Sequence, residues 1–386
     1  MPVKPEQMQH VCKYCHVVAA EGVKLQMCGR CETVRYCNTE CQRADWARHK
    51  HQDCIDFSHG RDEDKQLQHA CITGSVIEVR HLVEEEGADV NKATTNGPTP
   101  LCTAAGAGHL AVMRYLVEQG AEVDKARAKS YTPLFLAAGY GRLLAVRYLL
   151  EQGAEVNKAR KDGSTTLMLA VEQGHLAVVQ CLAERGADKE KAMNDGTTPL
   201  IMAAQHGHLA VVQYLVEQGA DKNKATNSGF TPLLMAAQNG HMAVMRYLEE
   251  QGANQDDVTN IGWTSLHLAV QNGHLAVVQY LVQQGADKDE VTNVCVTPLH
   301  VAAQNGHLAV VQYLVQQGAD TDKACNIGST PIYLAAQNGH MAVVRYLVEQ
   351  GADTDKATAA GATALQVARL TGRAAVATYL RAAGAR

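Results

Sequence analysis

From about residue 97 onward, the apolar residues fall into blocks that share one internal spacing. In the block that starts at Thr99, Leu101, Ala104 and Ala105 recur at helical intervals. Gly108 interrupts them, and Val112, Leu116 and Val117 resume the spacing before Gly120. Apolar residues three or four apart line one face of a helix. The pattern therefore predicts two short amphipathic helices per block, divided by Gly108 and closed by Gly120. The polar stretch Ala121–Ala126 is suited to a reversing turn. Thr99 falls at the N-cap of the first helix, and Pro100 at the first helical position, where a missing N–H costs nothing.

The block then recurs. Thr99, Thr132, Thr165, Thr198, Thr231, Thr264, Thr297, Thr330 and Thr363 stand 33 residues apart without a slip, and the glycines from Gly120 to Gly384 keep the same interval. A fixed period of this length predicts a stack of helical pairs, each too small to bury its apolar face except on its neighbours. Small alanines at the helix contacts let the units approach closely. Ten units are counted. The first, about residues 65–97, lacks the Thr-Pro-Leu signature and carries one extra residue in the run Glu84–Glu86, yet keeps Leu82, Val83 and Gly87-Ala88-Asp89. It reads as an N-terminal cap. The last unit has Ala364 for Pro and carries Arg369, Arg373, Arg381 and Arg386, which suits a polar C-terminal cap.

Residues 297–329, TPLHVAAQNGHLAVVQYLVQQGADTDKACNIGS, resemble a near-consensus ankyrin repeat, and the resemblance extends over about residues 65–386. It implies a mainly α helical solenoid of about ten repeats, with a concave face of turn tips and first-helix residues that binds another protein.

The first fifty-odd residues follow a different logic. Seven cysteines and a histidine occur in the order Cys12-x2-Cys15, Cys28-x2-Cys31, Cys37-x3-Cys41, His49-x4-Cys54. Eight such ligands suffice for two four-coordinate zinc ions, and a segment this short has too little apolar mass to fold without them. Thr39 and Gln42 form a capping-box pattern that opens a helix running through Trp46. On a continuous helix Cys41 and His49 lie about 12 Å apart, too far for one ion, so they serve different zincs.

The ligand order, Tyr36 before Cys37, and the segment CQRADWARHK at 41–50 together resemble a MYND-type zinc finger. One departure is that four residues separate His49 from Cys54, where that family commonly has three. His51 is thus an alternative ligand, although His49 keeps the spacing from Trp46. The expected arrangement is interleaved, with Cys12, Cys15, Cys37 and Cys41 on one ion and Cys28, Cys31, His49 and Cys54 on the other. This is the cross-brace that the resemblance implies. No coordination position stays open, so both zincs are expected to be structural. The resemblance also implies a surface around Gln42 and Trp46 for short proline-containing peptides; Trp46 has the further role of covering the zinc core. The domain organisation expected is a tail at 1–11, the finger at 12–54, a linker at 55–64 and the repeats at 65–386.

Composition narrows the function. The chain of 386 residues is 46% hydrophobic but only 5% aromatic, which fits many small repeated contacts better than one large core. No window approaches the roughly 18 apolar residues of a membrane span, and the N-terminus lacks a secretory apolar run. Cys71, Cys102, Cys181, Cys295 and Cys325 are scattered and expected to be reduced and packed as small apolar groups. An intracellular location, cytoplasm or nucleus, follows. The formal net charge is −5, and residues 1–60 carry eight Lys/Arg against seven Asp/Glu. With seven thiolates on two divalent ions the finger is net negative, which argues against direct nucleic-acid binding.

Large apolar side chains occur at the turn tips: Tyr131, Phe230, Ile261, Trp263, Val294, Val296 and Ile327. Phe230, Trp263 and Val296 share one slot in consecutive units and are expected to align as a stripe, for partner binding or for lateral packing of the turns. The pairs Gln238-Asn239, Gln271-Asn272, Gln304-Asn305 and Gln337-Asn338 suggest either an amide ladder or undiversified duplication. His109, His175, His208, His241, His274, His307 and His340 recur once per unit after a glycine, and a hydrogen-bonding role in the fold is expected. Basic residues gather at the earlier turns (Lys125, Arg127, Lys129, Lys158, Arg160 and Lys161), whereas Asp256, Asp257, Asp289 and Glu290 mark later ones.

The leading expectation is a non-catalytic adaptor or scaffold whose finger and repeats hold different proteins. The alternatives are a RING-like ubiquitin ligase component and a nuclear corepressor adaptor. The ligand order, which ends in His-x4-Cys and not in a closing Cys-x2-Cys pair, weighs against the first. A methyltransferase is disfavoured because the repeats occupy nearly all remaining sequence.

Overall fold

The structure is a computed structural model that describes residues 26–27, 35–36, 63–93, 97–126 and 131–385. Among these residues it contains twenty helices and one two-stranded antiparallel ladder, in which Gln26 pairs with Tyr36 and Met27 with Arg35. The first helical pair spans Glu63–Thr73 and Val76–Glu84. Val79 and Leu82 are buried on its second helix, and His81 lies 3.0 Å from Glu85, part of the extra-residue run.

Between residues 97 and 385 the fold is a stack of helix pairs, first helix upon first helix and second upon second. The caps explain why each pair begins where it does. All nine threonines of the 33-residue series are N-caps in extended conformation, and each side chain accepts the backbone N–H three residues on. Thr99 takes that of Cys102 at 3.2 Å, and Thr198 that of Ile201 at 3.3 Å. Proline follows six of these caps, while Thr166, Ser265 and Ala364 replace it elsewhere. At Gly108 the chain enters the left-handed region (φ 86°) and its N–H returns to Ala104 and Ala105, which ends the first helix.

The core is repetitive and built from small side chains. Leu101, Ala104 and Ala105 of one first helix, and Val112, Met113 and Leu116 of its second, are all but inaccessible, as are most of their counterparts in later units. Val117 is half-buried; Met113 and Tyr115 complete the apolar face in its place. In the last unit Arg369 is exposed at the slot that Ala105, Ala138 and Ala336 fill as buried residues, and Leu370 beside it is exposed as well. Cys71, Cys102 and Cys181 are buried, and burial pushes the Cys71 thiol up to about 12, which leaves it unreactive.

Polar bonds tie each unit to the next. The Nε2–H of His175 donates to the carbonyl of Gly139, His208 to Glu172, His241 to Gln205, His274 to Gln238, His307 to Gln271 and His340 to Gln304, at 2.9–3.2 Å. Arg142 and Arg373 make the same bond through Nε to Gly106 and Gln337. The recurrent histidines are therefore structural.

At the turn tips, a second set of rungs comes from asparagine. Asn194, Asn227, Asn260 and Asn293 each donate Nδ2 to the backbone carbonyl 33 residues earlier, at 2.9–3.1 Å. Cys295 interrupts this order. It holds φ at 57° where every neighbouring turn has glycine, and a Cβ placed on Gly229 or Gly262 comes within 2.9 Å of the next turn's backbone nitrogen. Left-handed backbone costs a non-glycine residue about 1–2 kcal/mol, offset in part by the greater freedom of glycine when unfolded. Cys295→Gly is expected to stabilise the repeats by about 0.5–1 kcal/mol in urea unfolding; an unchanged or lowered midpoint contradicts the assignment of strain.

Candidate functional site

The turns of the central units carry the surface residues that stand out from the repeat. In each, a threonine closes the turn with two bonds. Thr259 N–H donates to the Trp263 carbonyl at 3.0 Å and Trp263 N–H donates to Thr259 Oγ1 at 3.1 Å. Thr226 with Phe230, and Thr292 with Val296, repeat the arrangement. This closure draws the base of each turn inward. Tyr131, Phe230, Trp263 and Val296 are half-buried, and the Trp263 ring sits 6.0 Å from that of His267. The tips point the other way: Ile261, Val294 and Ile327 are 61%, 57% and 66% exposed.

The expected stripe therefore divides into two rows. Phe230, Trp263 and Val296 are half-buried at the bases of their turns. Ile261, Val294 and Ile327, also 33 residues apart, form the exposed apolar row. Val258 and Val291 add to it at 45% and 40% exposure. The sequence reading missed these two. The available signal was that they replace the alanine found at that slot in the other described turns, as at Ala159, Ala192, Ala225 and Ala324. Exposed apolar side chains in register make this row a candidate binding surface, since scattered ones need no explanation.

A second feature lies in the earlier units. The Arg160 guanidinium sits over the Tyr131 ring at 4.7 Å and the Phe135 ring at 5.4 Å, and it lies 3.5 Å from Asp162. The side chain and backbone of Ser164 donate to the Asp162 carboxylate and, with Arg160, hold its pKa below the usual range. Two cavities of about 320 and 460 Å³ share Phe135, Arg160, Leu169 and Glu172 in their walls. Met168 and Met202 line the smaller one. Methionine and stacked arginine supply adaptable contact to apolar ligands.

The suggested amide ladder does not form. Asn239, Asn305 and Asn338 donate back into their own helices, to Met235, Val301 and Leu334, and only Asn272 crosses to the preceding unit, at Gln238.

The metal set Cys12, Cys15, Cys28, Cys31, Cys37, Cys41, His49 and Cys54 lies outside the described residues, as do Gln42, Trp46, Arg127 and Lys129. The described ladder pairs Gln26 with Tyr36 and Met27 with Arg35, so the residues just before Cys28 and Cys37 share one antiparallel pair. The donor set itself, seven thiols and one imidazole, fits tetrahedral zinc and leaves no ligand over. Among the described residues no helix is long and apolar enough to cross a membrane.

Comparison with known proteins agrees with this anatomy. The ankyrin-repeat family profile matches residues 47–126, 67–160, 134–226, 218–292 and 299–386, and the MYND finger profile matches residues 12–54. Among solved structures, the ankyrin repeat domain of human ASB11 is 30% identical over 57% of this chain and 99% of its own, with a TM-score of 0.52.

Proposed function

Because this chain belongs to the ankyrin-repeat family and carries a MYND finger, we propose that it is a non-catalytic, zinc-dependent adaptor that holds two proteins at once. The finger, with two structural zincs on Cys12, Cys15, Cys37, Cys41 and on Cys28, Cys31, His49, Cys54, takes a short proline-containing peptide near Gln42 and Trp46. The repeats take a second protein along the turns that carry Tyr131, Phe230, Ile261, Trp263 and Val296. The cytoplasm or the nucleus is where such an adaptor works, with its thiols reduced.

One observation carries the reading of the repeats: three exposed apolar tips, Ile261, Val294 and Ile327, stand in register on turns that the fold otherwise keeps polar. Burying such a row on a partner contributes about 25 cal/mol per Å² of apolar area. The half-buried Trp263 beside it is of the residue type most enriched at binding hot spots.

The test compares proteins captured by proximity labelling with the intact chain, a Cys28→Ser finger variant, Trp263→Ala, and Ile261→Ser/Ile327→Ser. The last pair is mostly exposed and lies outside the core. Expected is one set of proteins reduced at least tenfold by the finger variant and a different set reduced at least tenfold by the repeat variants. Identical sets from all four proteins contradict the two-grip reading.

A further inference from the structure

Of the five cysteines beyond the finger, Cys71, Cys102 and Cys181 are buried in helices, whereas Cys295 and Cys325 stand in adjacent turns. Both depart from the repeat. Cys295 takes the slot of Gly196, Gly229, Gly262 and Gly328, and Cys325 the slot of Thr226, Thr259, Thr292 and Thr358. These two slots touch where consecutive turns stack. A Cβ built on Gly196 or Gly229 lies 3.0 Å from the Cα of Thr226 or Thr259, and one on Gly328 lies 2.9 Å from that of Thr358. Each of those pairs is 30 residues apart, and so are Cys295 and Cys325. The two substitutions therefore fall on one contacting pair.

The hydrogen bonds between turns record the change. Elsewhere a backbone N–H donates to the carbonyl 32 residues earlier: Asn227 to Asp195, Asn260 to Ser228, Asn293 to Ile261 and Ala359 to Ile327, at 2.8–3.3 Å. Asparagine Nδ2 adds its own rung, as from Asn293 to the Asn260 carbonyl. Between the turns of Cys295 and Cys325 both are missing: among the described residues no bond joins Asn326 to Val294 or to Asn293. The cause is steric, since a Cβ at the equivalent Gly262 lies 2.9 Å from the Asn293 nitrogen. Relaxed to an ordinary carbon contact of about 3.5–4 Å, the two slots hold their Cα atoms no more than about 5.5 Å apart. A disulfide spans about 4.4–6.8 Å between Cα atoms. Cys295 and Cys325 are both half-buried, so a reagent in solution reaches them, whereas the other three are enclosed.

We propose that Cys295 and Cys325 are a modification site, which closes to a reversible disulfide that staples the two turns. The oxidant is a low-molecular-weight disulfide such as oxidised glutathione. One cysteine gives its proton to water and, as thiolate, attacks a glutathione sulfur; a mixed disulfide forms and one glutathione thiolate leaves. The second cysteine, deprotonated likewise, attacks the protein sulfur of that mixed disulfide. The Cys295–Cys325 bond forms, the second glutathione thiolate leaves, and the two glutathione thiolates take up the two protons released. Two cysteine sulfurs are oxidised and one glutathione disulfide is reduced to two thiols. The new bond takes the place of the two absent rungs. It does so within the exposed apolar row, because Val294 precedes Cys295 and Ile327 lies two residues beyond Cys325. Exposed or strained disulfides are the easily reduced, regulatory ones, and Cys295 holds φ at 57°.

The test treats the zinc-loaded full chain with oxidised glutathione, blocks remaining thiols with N-ethylmaleimide, and digests the product with trypsin without reduction. Trypsin leaves Cys295 in residues 289–323 and Cys325 in residues 324–345, so the bond appears in mass spectrometry as a linked peptide pair. This pair is expected to exceed every other linked pair at least tenfold and to vanish on addition of dithiothreitol. Cys295→Gly and Cys325→Thr each restore the residue of the flanking turns, so the fold is preserved. In either variant the pair is expected to be lost, and the remaining cysteine to accumulate as its mixed disulfide with glutathione. Three results overturn the proposal: glutathione adducts on both cysteines of the unsubstituted chain without linkage, no oxidation of either, or linkage mainly to another cysteine. Because the readout is a bond within the chain and involves no partner, its outcome is separate from that of the proximity-labelling test.

Discussion

A Cys37→Ser chain is expected to lose zinc, and the fold of residues 12–54 with it, without moving the melting transition of the repeats. The reasoning starts from size. A segment of 43 residues with eight metal ligands has no apolar core of its own to fall back on, so metal affinity and folding free energy are the same quantity. For structural zinc in small finger modules that quantity is about 10–16 kcal/mol at neutral pH, far above what a segment of this length can replace. Serine keeps the size of cysteine but supplies no thiolate. In an interleaved pair of sites the loss of one ion also frees the ligands that brace the other, so a drop of more than one zinc equivalent is expected. The repeats depend only on contacts with adjacent units. Zinc content with and without the substitution, read beside a calorimetric scan, checks both halves. A repeat transition that falls together with the metal contradicts the separation.

His267 and His300 are expected to make the repeats acid-labile. Both are fully buried, and each spans two units. The Nε2–H of His300 donates to the Ser329 carbonyl at 3.1 Å, while Nδ1 receives the Thr297 N–H at 3.3 Å and faces the Thr297 hydroxyl at 2.7 Å. His267 bridges the Thr264 hydroxyl, through Nδ1, and the Val296 carbonyl, through Nε2–H. The ring must be neutral to accept at Nδ1, and burial pushes His267 down to about 4 and lowers His300 likewise. Both folded values lie below the unfolded value of about 6.5. The stability they contribute is therefore complete above about pH 6.5 and is lost as the pH falls toward 4. At pH 5 His267 alone accounts for a loss of about 2 kcal/mol. Urea midpoints at pH 7 and pH 5 are expected to differ accordingly, and His267→Gln/His300→Gln to shrink the difference. The more drastic His300→Leu strands a buried N–H and a buried carbonyl and is expected to cost about 2–4 kcal/mol at pH 7. A pH response that survives both glutamine substitutions intact contradicts this account.

The repeats were legible in the sequence because capping chemistry is local. A threonine N-cap, a proline at the first helical position and a glycine at the stop are set by backbone geometry within a few residues, and the 33-residue interval then multiplies one inference into nine. The histidine after the glycine could be assigned a hydrogen-bonding role from its regularity. Its acceptor, a carbonyl 36 residues earlier, depends on how the units stack and could not be read from spacing. The same limit hid the asparagine rungs at the turn tips and the half-burial of Phe230 and Trp263, which follows from a threonine that folds each turn back on itself. For the finger the ligand order alone carries the assignment, and the short ladder of Met27 and Arg35 is what the described residues add.

The most direct test of the account is the zinc content of the purified full-length chain, measured by elemental analysis, with hydrogen exchange over residues 12–54 on the same sample. Two equivalents per chain, and exchange protection in that segment that vanishes when chelator removes them, is the predicted result. Fewer than two equivalents with the segment still protected would mean that something other than metal holds the finger together.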